Sequence, residues 1–237
     1  MSNFNFTDDP HNRYNPLTNE WILVSPHRTK RPWQGKVEKN ITAKRPEYDP
    51  KCYLCPGNTR AGNVVNEKYT DVYVFQNDFS ALLENTPEGE YKRGELFQAK
   101  SEKGLCKVIC FSPRHDLTIP EMDVSAVKKV VDAWCREYES IGKLNFINHI
   151  QIFENKGDIM GCSNPHPHGQ IWAQHSIPVE PAKEIKQQTN YFQKYHSSLL
   201  SDYLKEELKL KERIIVENEH FVALSPFWAV WPYEAMI

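Results

Sequence analysis

Two histidines stand one residue apart in the segment GCSNPHPHGQ, which spans residues 161–170. An imidazole can bind a metal, accept a proton or attack an electrophile as a nucleophile. If a β-strand runs through this segment from His166, alternate side chains share one face, which groups His166, His168 and Gln170. Because a face with two imidazoles and an amide is unsuited to an apolar core, the segment predicts a functional site. The two histidines there either share one task or have separate tasks.

The residues just before these histidines favour an anion. Glycine and proline flank them and leave backbone N–H groups accessible around Met160 to Asn164. Accessible backbone N–H groups suit a bound anion, phosphate in particular. The segment therefore predicts a phosphate-binding loop beside the histidine pair.

A second candidate site is the C-x-x-C pair Cys52 and Cys55, the one such pair among six cysteines. In a reducing compartment this spacing indicates a metal site or a redox motif before it indicates a disulfide. The flanking sequence YDPKCYLCPGNTR favours a knuckle-like turn and hence a metal. A zinc site needs about four ligands, so two more must come from elsewhere. His115 and one member of the His166/His168 pair are candidates, among which spacing alone does not choose.

The composition of the chain excludes several classes of function. Its 237 residues contain 29 basic and 31 acidic side chains, for a formal net charge of −2. This balance argues against binding to nucleic acid or to a membrane surface through charge. No segment approaches the roughly 18 consecutive apolar residues of a membrane span, and the start MSNFNFTDDP lacks the basic and apolar regions of a secretory signal. We therefore expect a cytoplasmic globular protein.

A mixed set of strands and helices must position the candidate residues. The first 70 residues predict an extended arm with one short strand at residues 21–24. Valines and aromatic residues recur at helical spacing from Val124 to Tyr138, which predicts an amphipathic helix, and a second helical region covers about 181–211 with an interruption at 196–198. Strands are predicted at residues 72–83 (strand, turn, strand), 105–112, 149–155, 166–175 and 213–227 (strand, turn, strand), and a polar loop at 84–104.

Two segments of the chain resemble each other. VFQNDFSAL at residues 74–82 and VENEHFVAL at 216–224 share a β-type start, an acidic or amide turn, a phenylalanine and a small apolar end. An internal duplication accounts for this pattern, and two unrelated hairpins are the alternative. A duplication predicts that the segment after residue 213 begins a second copy of the unit that contains the histidine pair.

The chain resembles the galactose-1-phosphate uridylyltransferase family over essentially its whole length. The resemblance rests on long segments that occur in order, namely RYNPLTNEWILVSPHRTKRPWQG, CYLCPGN, VFQNDF, FENKG and GCSNPHPHGQIW. It implies an α+β fold of the histidine-triad type, mostly antiparallel sheet with flanking helices, with one complete unit and the start of a second. We expect a transferase domain with its arm and zinc knuckle at residues 1–178, and connecting helices with an incomplete second unit at 179–237.

The resemblance also implies separate tasks for the two histidines. His168 corresponds to the nucleophile, which takes a uridylyl group from UDP-glucose and passes it to galactose 1-phosphate, as a step of galactose metabolism. His166 corresponds to a zinc ligand together with Cys52, Cys55 and His115. Gln170 stands where the triad hydrolases have a third histidine. It can donate a hydrogen bond to a phosphoryl oxygen without acting as an acid, which suits group transfer.

The resemblance also implies that further residues of this chain contact the substrate. They comprise Arg28 and Arg31 near the nucleotide, Ala61 at the base, Asn77 and Asp78 at uridine and ribose, and Asn155, Gly161, Cys162 and Ser163 at the phosphate and sugar. Asp suits a ribose hydroxyl because a carboxylate is a charge-assisted acceptor. Glu184 corresponds to a ligand of a second structural metal, iron or zinc, whose other ligands in the family are histidines beyond residue 237.

The family also implies a homodimer and a chain that continues past residue 237, so we expect this chain to be shortened. Two other classes of function stay open at this point. One is a zinc-stabilised module that binds nucleotides or proteins without catalysis, or a shortened nucleotide-binding chain whose transferase activity is weak or absent. The other is a histidine-triad hydrolase, against which Gln170 and the N-terminal arm both argue.

Overall fold

The computed structural model describes residues 4–30, 45–157, 160–162 and 164–237. Arg31 and Ser163 lie outside these residues. Within the described part the strands are β1 (His11–Asn15), β2 (Glu20–Val24), β3 (Tyr73–Gln76), β4 (Glu90–Arg93), β5 (Phe97–Lys100), β6 (Gly104–Cys110), β7 (His149–Phe153), β8 (His168–Gln174), β9 (Ile214–Glu217) and β10 (Val222–Leu224). The α-helices are α1 (Val124–Gly142), α2 (Val179–Tyr195) and α3 (Leu199–Leu210). Neighbouring strands all pair antiparallel, as the expected α+β class requires.

The chain forms two compact units. One contains residues 1–38 and 178–237, and the other contains residues 39–177. The division into domains at 1–178 and 179–237 stays a prediction. No helix in the described part of the chain is both long and apolar enough to cross a membrane.

The unit of residues 39–177 is built on a four-stranded sheet in the order β3-β6-β8-β7. Strand β6 lies inside the sheet, and six of its seven residues are buried, because apolar side chains cover both of its faces. On one face, Leu105 and Ile109 pack with Val130, Ala133 and Ile141 of α1. On the other face, Val108 and Cys110 pack with the knuckle that contains Cys52 and Cys55. The sheet therefore separates a helical layer from the layer that holds the candidate site.

Helix α1 begins where its sequence pattern predicts. The side chain of Asp123 accepts a hydrogen bond from the N–H of Ala126 and caps the helix. The buried face differs from the predicted one, because Val124 and Tyr138 are exposed while Ala133 is buried. The small side chain of Ala133 fits against the sheet, whereas the larger Val124 and Tyr138, at the edge of the predicted apolar face, remain in solvent.

The prediction of a polar loop at residues 84–104 is wrong. Strands β4 and β5 form a hairpin there, in which every residue is exposed. Alternation of apolar and polar residues is absent from a hairpin that buries neither face, so the pattern gave no strand signal. Gly94, at φ 63°, takes the left-handed conformation of the turn. The second strand predicted within 72–83 is also wrong, because after β3 that segment makes a single bridge at Leu83.

The other unit contains two antiparallel strand pairs, β1–β2 and β9–β10, and the helices α2 and α3. The predicted interruption of the helical region is confirmed. Helix α2 ends at Tyr195 and is followed by His196 in a left-handed conformation, and Ser198 caps α3 by accepting from the N–H of Ser201. Glu207 is buried and pairs with Arg213 at 2.8 Å, which compensates the charge inside this unit.

Candidate active site and metal cluster

Four potential metal ligands meet at the knuckle layer. One ligand atom from each of Cys52, Cys55, His115 and His166 lies within 4.8 Å of the others, and all four residues are buried. The C-x-x-C segment turns back on itself through a hydrogen bond from the N–H of Cys55 to the carbonyl of Cys52. His115 follows β6 and His166 precedes β8, so neighbouring strands bring them to the same end of the sheet.

The spacing of these atoms fits a tetrahedral metal. The Nδ1 atoms of His115 and His166 lie 3.6 and 3.5 Å from the sulfur of Cys55. A tetrahedral zinc ion with ordinary Zn–S and Zn–N bonds separates a sulfur and a nitrogen ligand by about 3.6 Å. Two thiols and two imidazoles are also the donor set of structural zinc sites. The cluster can therefore hold such an ion with little rearrangement.

The protonation states of the imidazoles suit ligation. The Nε2 atom of His166 lies 3.0 Å from the carbonyl oxygen of Ser112, so it carries the proton and donates, which leaves the Nδ1 lone pair free. Burial lowers the pKa of His166 to about 4 and also lowers the pKa of His115. Both rings are consequently neutral at physiological pH. Burial raises the pKa of the Cys55 thiol to about 11, so its thiolate needs a cation beside it.

His168 is held in one orientation at the start of β8. Its Nδ1 atom lies 2.7 Å from the backbone carbonyl oxygen of His166. A carbonyl can only accept, so Nδ1 donates its proton and Nε2 keeps a free lone pair. The predicted strand starts two residues too early, because β8 begins at His168 and His166 precedes it. The alternation of faces therefore groups His168 with Gln170, while His166 belongs to the cluster.

A cavity of about 340 Å³ opens beside His168 and Gln170 on the knuckle side of the sheet. In the register of β6 and β8, Cys110 lies opposite His168 and Val108 opposite Gln170, so these four residues share the knuckle-side face of the sheet. The cavity is lined by Tyr53, Leu54, Thr59, Arg60, Ala61, Phe75, Asn77, Asp78, Phe79, Val108, His168 and Gln170. Its wall thus combines an apolar part with a polar rim, which is typical of a small-molecule site.

A smaller cleft adjoins the same two residues. It has a volume of about 50 Å³ and is lined by Asn155, Gly161, Cys162, His168, Gly169 and Gln170. Gln170 accepts a hydrogen bond from the indole of Trp172 through Oε1, at 2.9 Å. This contact fixes the amide, and its NH₂ group has no partner among the described residues, so it can donate. His168 and Gln170 therefore lie between an apolar-walled cavity and a polar cleft.

The structure brings most of the predicted site residues together. Ala61, Asn77 and Asp78 line the cavity, and Asn155, Gly161 and Cys162 line the cleft. Arg28 lies in a 3-10 helix, Pro26–Lys30, of the unit that contains the chain ends. Glu184 lies in α2 of that unit and is not part of the one group of three or more potential metal ligands found among the described residues.

Sequence reasoning missed several residues that line the cavity. Arg60 directly precedes Ala61 in the chain, so its position beside a predicted residue is the signal that could have found it. Phe75 and Phe79 flank the predicted Asn77 and Asp78 in VFQNDF, and only their neighbours were selected. Leu54 and Val108 carry no chemical signal, since an apolar wall residue reads in the sequence as part of the core.

Models of known protein families match this chain along nearly all of its length. Residues 2–178 match the model described as galactose-1-phosphate uridyl transferase, N-terminal domain, and residues 184–237 match that of the C-terminal domain. The chain belongs to the galactose-1-phosphate uridylyltransferase family. The resemblance inferred from the sequence segments is thereby confirmed.

Curated members of the galactose-1-phosphate uridylyltransferase family are similar in sequence to this chain along nearly its whole length. The Haemophilus influenzae galactose-1-phosphate uridylyltransferase is 51% identical over 234 residues, which is 99% of this chain and 66% of that protein. The Rattus norvegicus enzyme is 44% identical, over 99% of this chain and 61% of its own length. The chain thus spans roughly two thirds of the length of these relatives.

Solved structures of galactose-1-phosphate uridylyltransferase relatives share the fold. A structure of uridylyltransferase matches with a TM-score of 0.67 and 26% identity, over 94% of this chain and 64% of the other. An ADP-glucose phosphorylase from Arabidopsis thaliana, with bound ADP-glucose, matches with a TM-score of 0.70 and 25% identity, over 96% and 67%. The expected α+β fold of the histidine-triad type is confirmed by these neighbours.

Proposed function

We propose that this chain carries the uridylyl-transferring site of its family. The lone pair of His168 Nε2 forms a bond to the α-phosphorus of UDP-glucose. The bond from that phosphorus to the bridging oxygen breaks, and glucose 1-phosphate leaves with the electron pair. A phosphate oxygen of galactose 1-phosphate then attacks the same phosphorus, the bond to His168 breaks, and UDP-galactose is formed. A covalent histidine intermediate divides one displacement into two easier steps.

One contact carries this proposal, the 2.7 Å hydrogen bond from His168 Nδ1 to the carbonyl of His166. A histidine in solution exchanges its proton between both nitrogens and rotates freely. Here the carbonyl holds Nδ1, so Nε2 is available as the nucleophile at the wall shared by the cavity and the cleft. A fixed lone pair lowers the barrier because orientation is established before reaction.

The cavity and the cleft supply the binding surfaces that a transfer site needs beside its nucleophile. The cavity suits a nucleoside, with Ala61 at an apolar wall and Asn77 and Asp78 as polar partners. The cleft suits phosphate and sugar oxygens, which Asn155 and the Gly161–Cys162 backbone can meet. The Gln170 amide donates to a phosphoryl oxygen as charge develops on it. We assign Arg28, Arg31 and Ser163 to the same substrate as further proposals, from the family resemblance.

We assign zinc to the cluster of Cys52, Cys55, His115 and His166. Zinc would supply a structural crosslink there, because its ligands join the knuckle to the segments that follow β6 and precede β8. Through His166 the cluster also holds the carbonyl that orients His168. The resemblance further supports a homodimer, a cytoplasmic enzyme, and a second structural metal, iron or zinc, at Glu184. A Cys₂His₂ cluster of unoxidised thiols suits a reducing compartment.

The test follows a labelled α-phosphate and measures whether it moves to the protein, to galactose 1-phosphate or to water. The protein is incubated with UDP-glucose labelled in the α-phosphate, and label on the protein is measured beside released glucose 1-phosphate. We expect acid-labile label in the wild type, its discharge by galactose 1-phosphate, and none in His168→Asn. Discharge to water alone indicates a hydrolase. Nucleotide binding without label indicates the zinc-stabilised binding protein, and both results overturn the proposal.

A further inference from the structure

Arg60 lies at the junction of the knuckle and the cavity, and no part of the proposed transfer uses it. It follows the C-x-x-C turn, and its backbone N–H donates to the carbonyl of Val64 at 2.9 Å. This bond closes the small loop that presents Ala61 to the cavity. The guanidinium is largely covered, since 11% of the side chain is exposed.

The covered guanidinium makes two contacts, both with residues of the cavity wall. One nitrogen, Nη1, donates to Oδ1 of Asp78. The central carbon lies over the Phe75 ring, 4.1 Å from its centre, so the cation contacts the face of that ring. Stacking and ion pairing together require a flat cation with several donors, which arginine has and lysine lacks.

The contact with Arg60 uses one of the two carboxylate oxygens of Asp78. Its Oδ1 accepts from Arg60, whereas Oδ2 has no hydrogen-bond partner in the described residues, although Asp78 lines the cavity. The Nε of Arg60 is also buried without a partner in that part of the chain. A carboxylate held by one oxygen presents the other in a fixed direction.

We propose that Arg60 is a positioning residue of the nucleoside subsite, which fixes the Asp78 carboxylate so that it selects a ribose over a deoxyribose. This inference rests on the proposed function, since it takes the cavity as the nucleotide site. Asp78 accepts a hydrogen bond from a ribose hydroxyl through Oδ2. Arg60 acts on the nucleotide through Asp78 and through the Phe75 ring on which it lies.

The experiment measures binding of UDP, 2′-deoxy-UDP and 3′-deoxy-UDP by calorimetry. We expect the wild type to bind UDP about tenfold more tightly than at least one deoxy analogue, as for the loss of one hydrogen bond to a charged acceptor. In Arg60→Met, UDP affinity falls by about tenfold and that analogue's affinity by less than about threefold, so the preference for UDP falls from about tenfold to about threefold or less. Arg60→Lys retains part of the preference because it keeps the charge but not the stacked plane.

The controls separate positioning from folding. Arg93→Met removes an exposed arginine of the β4–β5 hairpin, and its three affinities stay at the wild-type values. Equal weakening of all three ligands in Arg60→Met overturns the inference, because a merely structural residue acts in that way. Unchanged affinities in Arg60→Met, or a wild type without ribose preference, also overturn it. A wild type that binds none of the three ligands overturns the proposed function itself.

Discussion

His166 and His168 are joined by a single hydrogen bond, from the Nδ1 atom of His168 to the backbone carbonyl of His166, at 2.7 Å. The side chain of His166 lies in the cluster with Cys55 and His115, and its Nε2 donates to the Ser112 carbonyl. The cluster therefore fixes the main chain whose carbonyl orients His168. In the proposed function, His166 serves the fold, His168 serves the chemistry, and the first positions the second.

Loss of a cluster ligand is expected to remove the metal and much of the stability. We predict that Cys55→Ser binds no zinc and loses several kcal/mol of unfolding free energy, on the order of what a structural zinc contributes. Cys135→Ser is the matched control, because Cys135 is exposed on α1 and outside the cluster. Metal analysis and urea unfolding measure both effects. Full zinc content in Cys55→Ser contradicts the ligand assignment.

Asn164 is predicted to support the cluster through the main chain. Its Oδ1 accepts from the N–H of His166 at 2.9 Å, and both residues are buried. Asn164→Ala leaves that N–H without a partner, which costs about 1–3 kcal/mol of stability. It also loosens zinc, by about 10- to 100-fold, as changes behind a metal ligand do. Asn164→Ser keeps a neutral side-chain oxygen that can accept from this N–H and should retain more of both. Equal losses in the two variants exclude this role.

Gly169 separates His168 from Gln170, and a larger residue does not fit there. A Cβ atom at this position would lie 2.8 Å from the Phe153 carbonyl and 3.0 Å from the Phe111 ring. Gly169→Ala therefore forces β7 and β8 apart, at a cost of about 1–3 kcal/mol. Label transfer to His168 should fall more than stability alone explains. The control is Gly89→Ala, where a Cβ meets nothing within 4 Å. Wild-type labelling in Gly169→Ala rejects the close fit.

Glu154 makes stability depend on pH. Burial raises the pKa of this carboxyl above its ordinary value, and the nearby positive charge of Lys156 offsets only part of that effect. Since the folded pKa exceeds the unfolded one, its favourable contribution is present at low pH and is lost as the pH rises through the folded value. Glu154→Gln should therefore be more stable than the wild type at neutral pH and equal to it in acid.

Urea unfolding at both pH values measures the effect of Glu154. The exposed Glu88 supplies the control, because Glu88→Gln should leave the difference between the two pH values unchanged. A Glu154→Gln variant that gains as much stability in acid as at neutral pH contradicts the electrostatic explanation.

The strands and helices with a buried face were predictable, and so were the site residues with a chemical signal. Strand β6 and the helices α1 and α3 bury apolar residues and follow apolar patterns in the sequence, whereas α2 was predicted although none of its residues is fully buried. The exposed β4–β5 hairpin has no such pattern, and it was missed for that reason. Local spacing also gave no choice among the histidines, because ligation depends on which strand ends meet across the sheet. The role proposed for Arg60 could not be predicted from local sequence, because it depends on a contact with Asp78, 18 residues further along the chain.

The most direct measurement locates the uridylyl group on the protein. The chain is treated with UDP-glucose, quenched in alkali to preserve a phosphorus–nitrogen bond, digested, and its peptides are sequenced by mass spectrometry. The account predicts a uridylyl group on His168, absent from His166, with zinc still bound to the modified protein. A uridylyl group on His166 or Cys162, or release of glucose 1-phosphate with His168 unmodified, would contradict it.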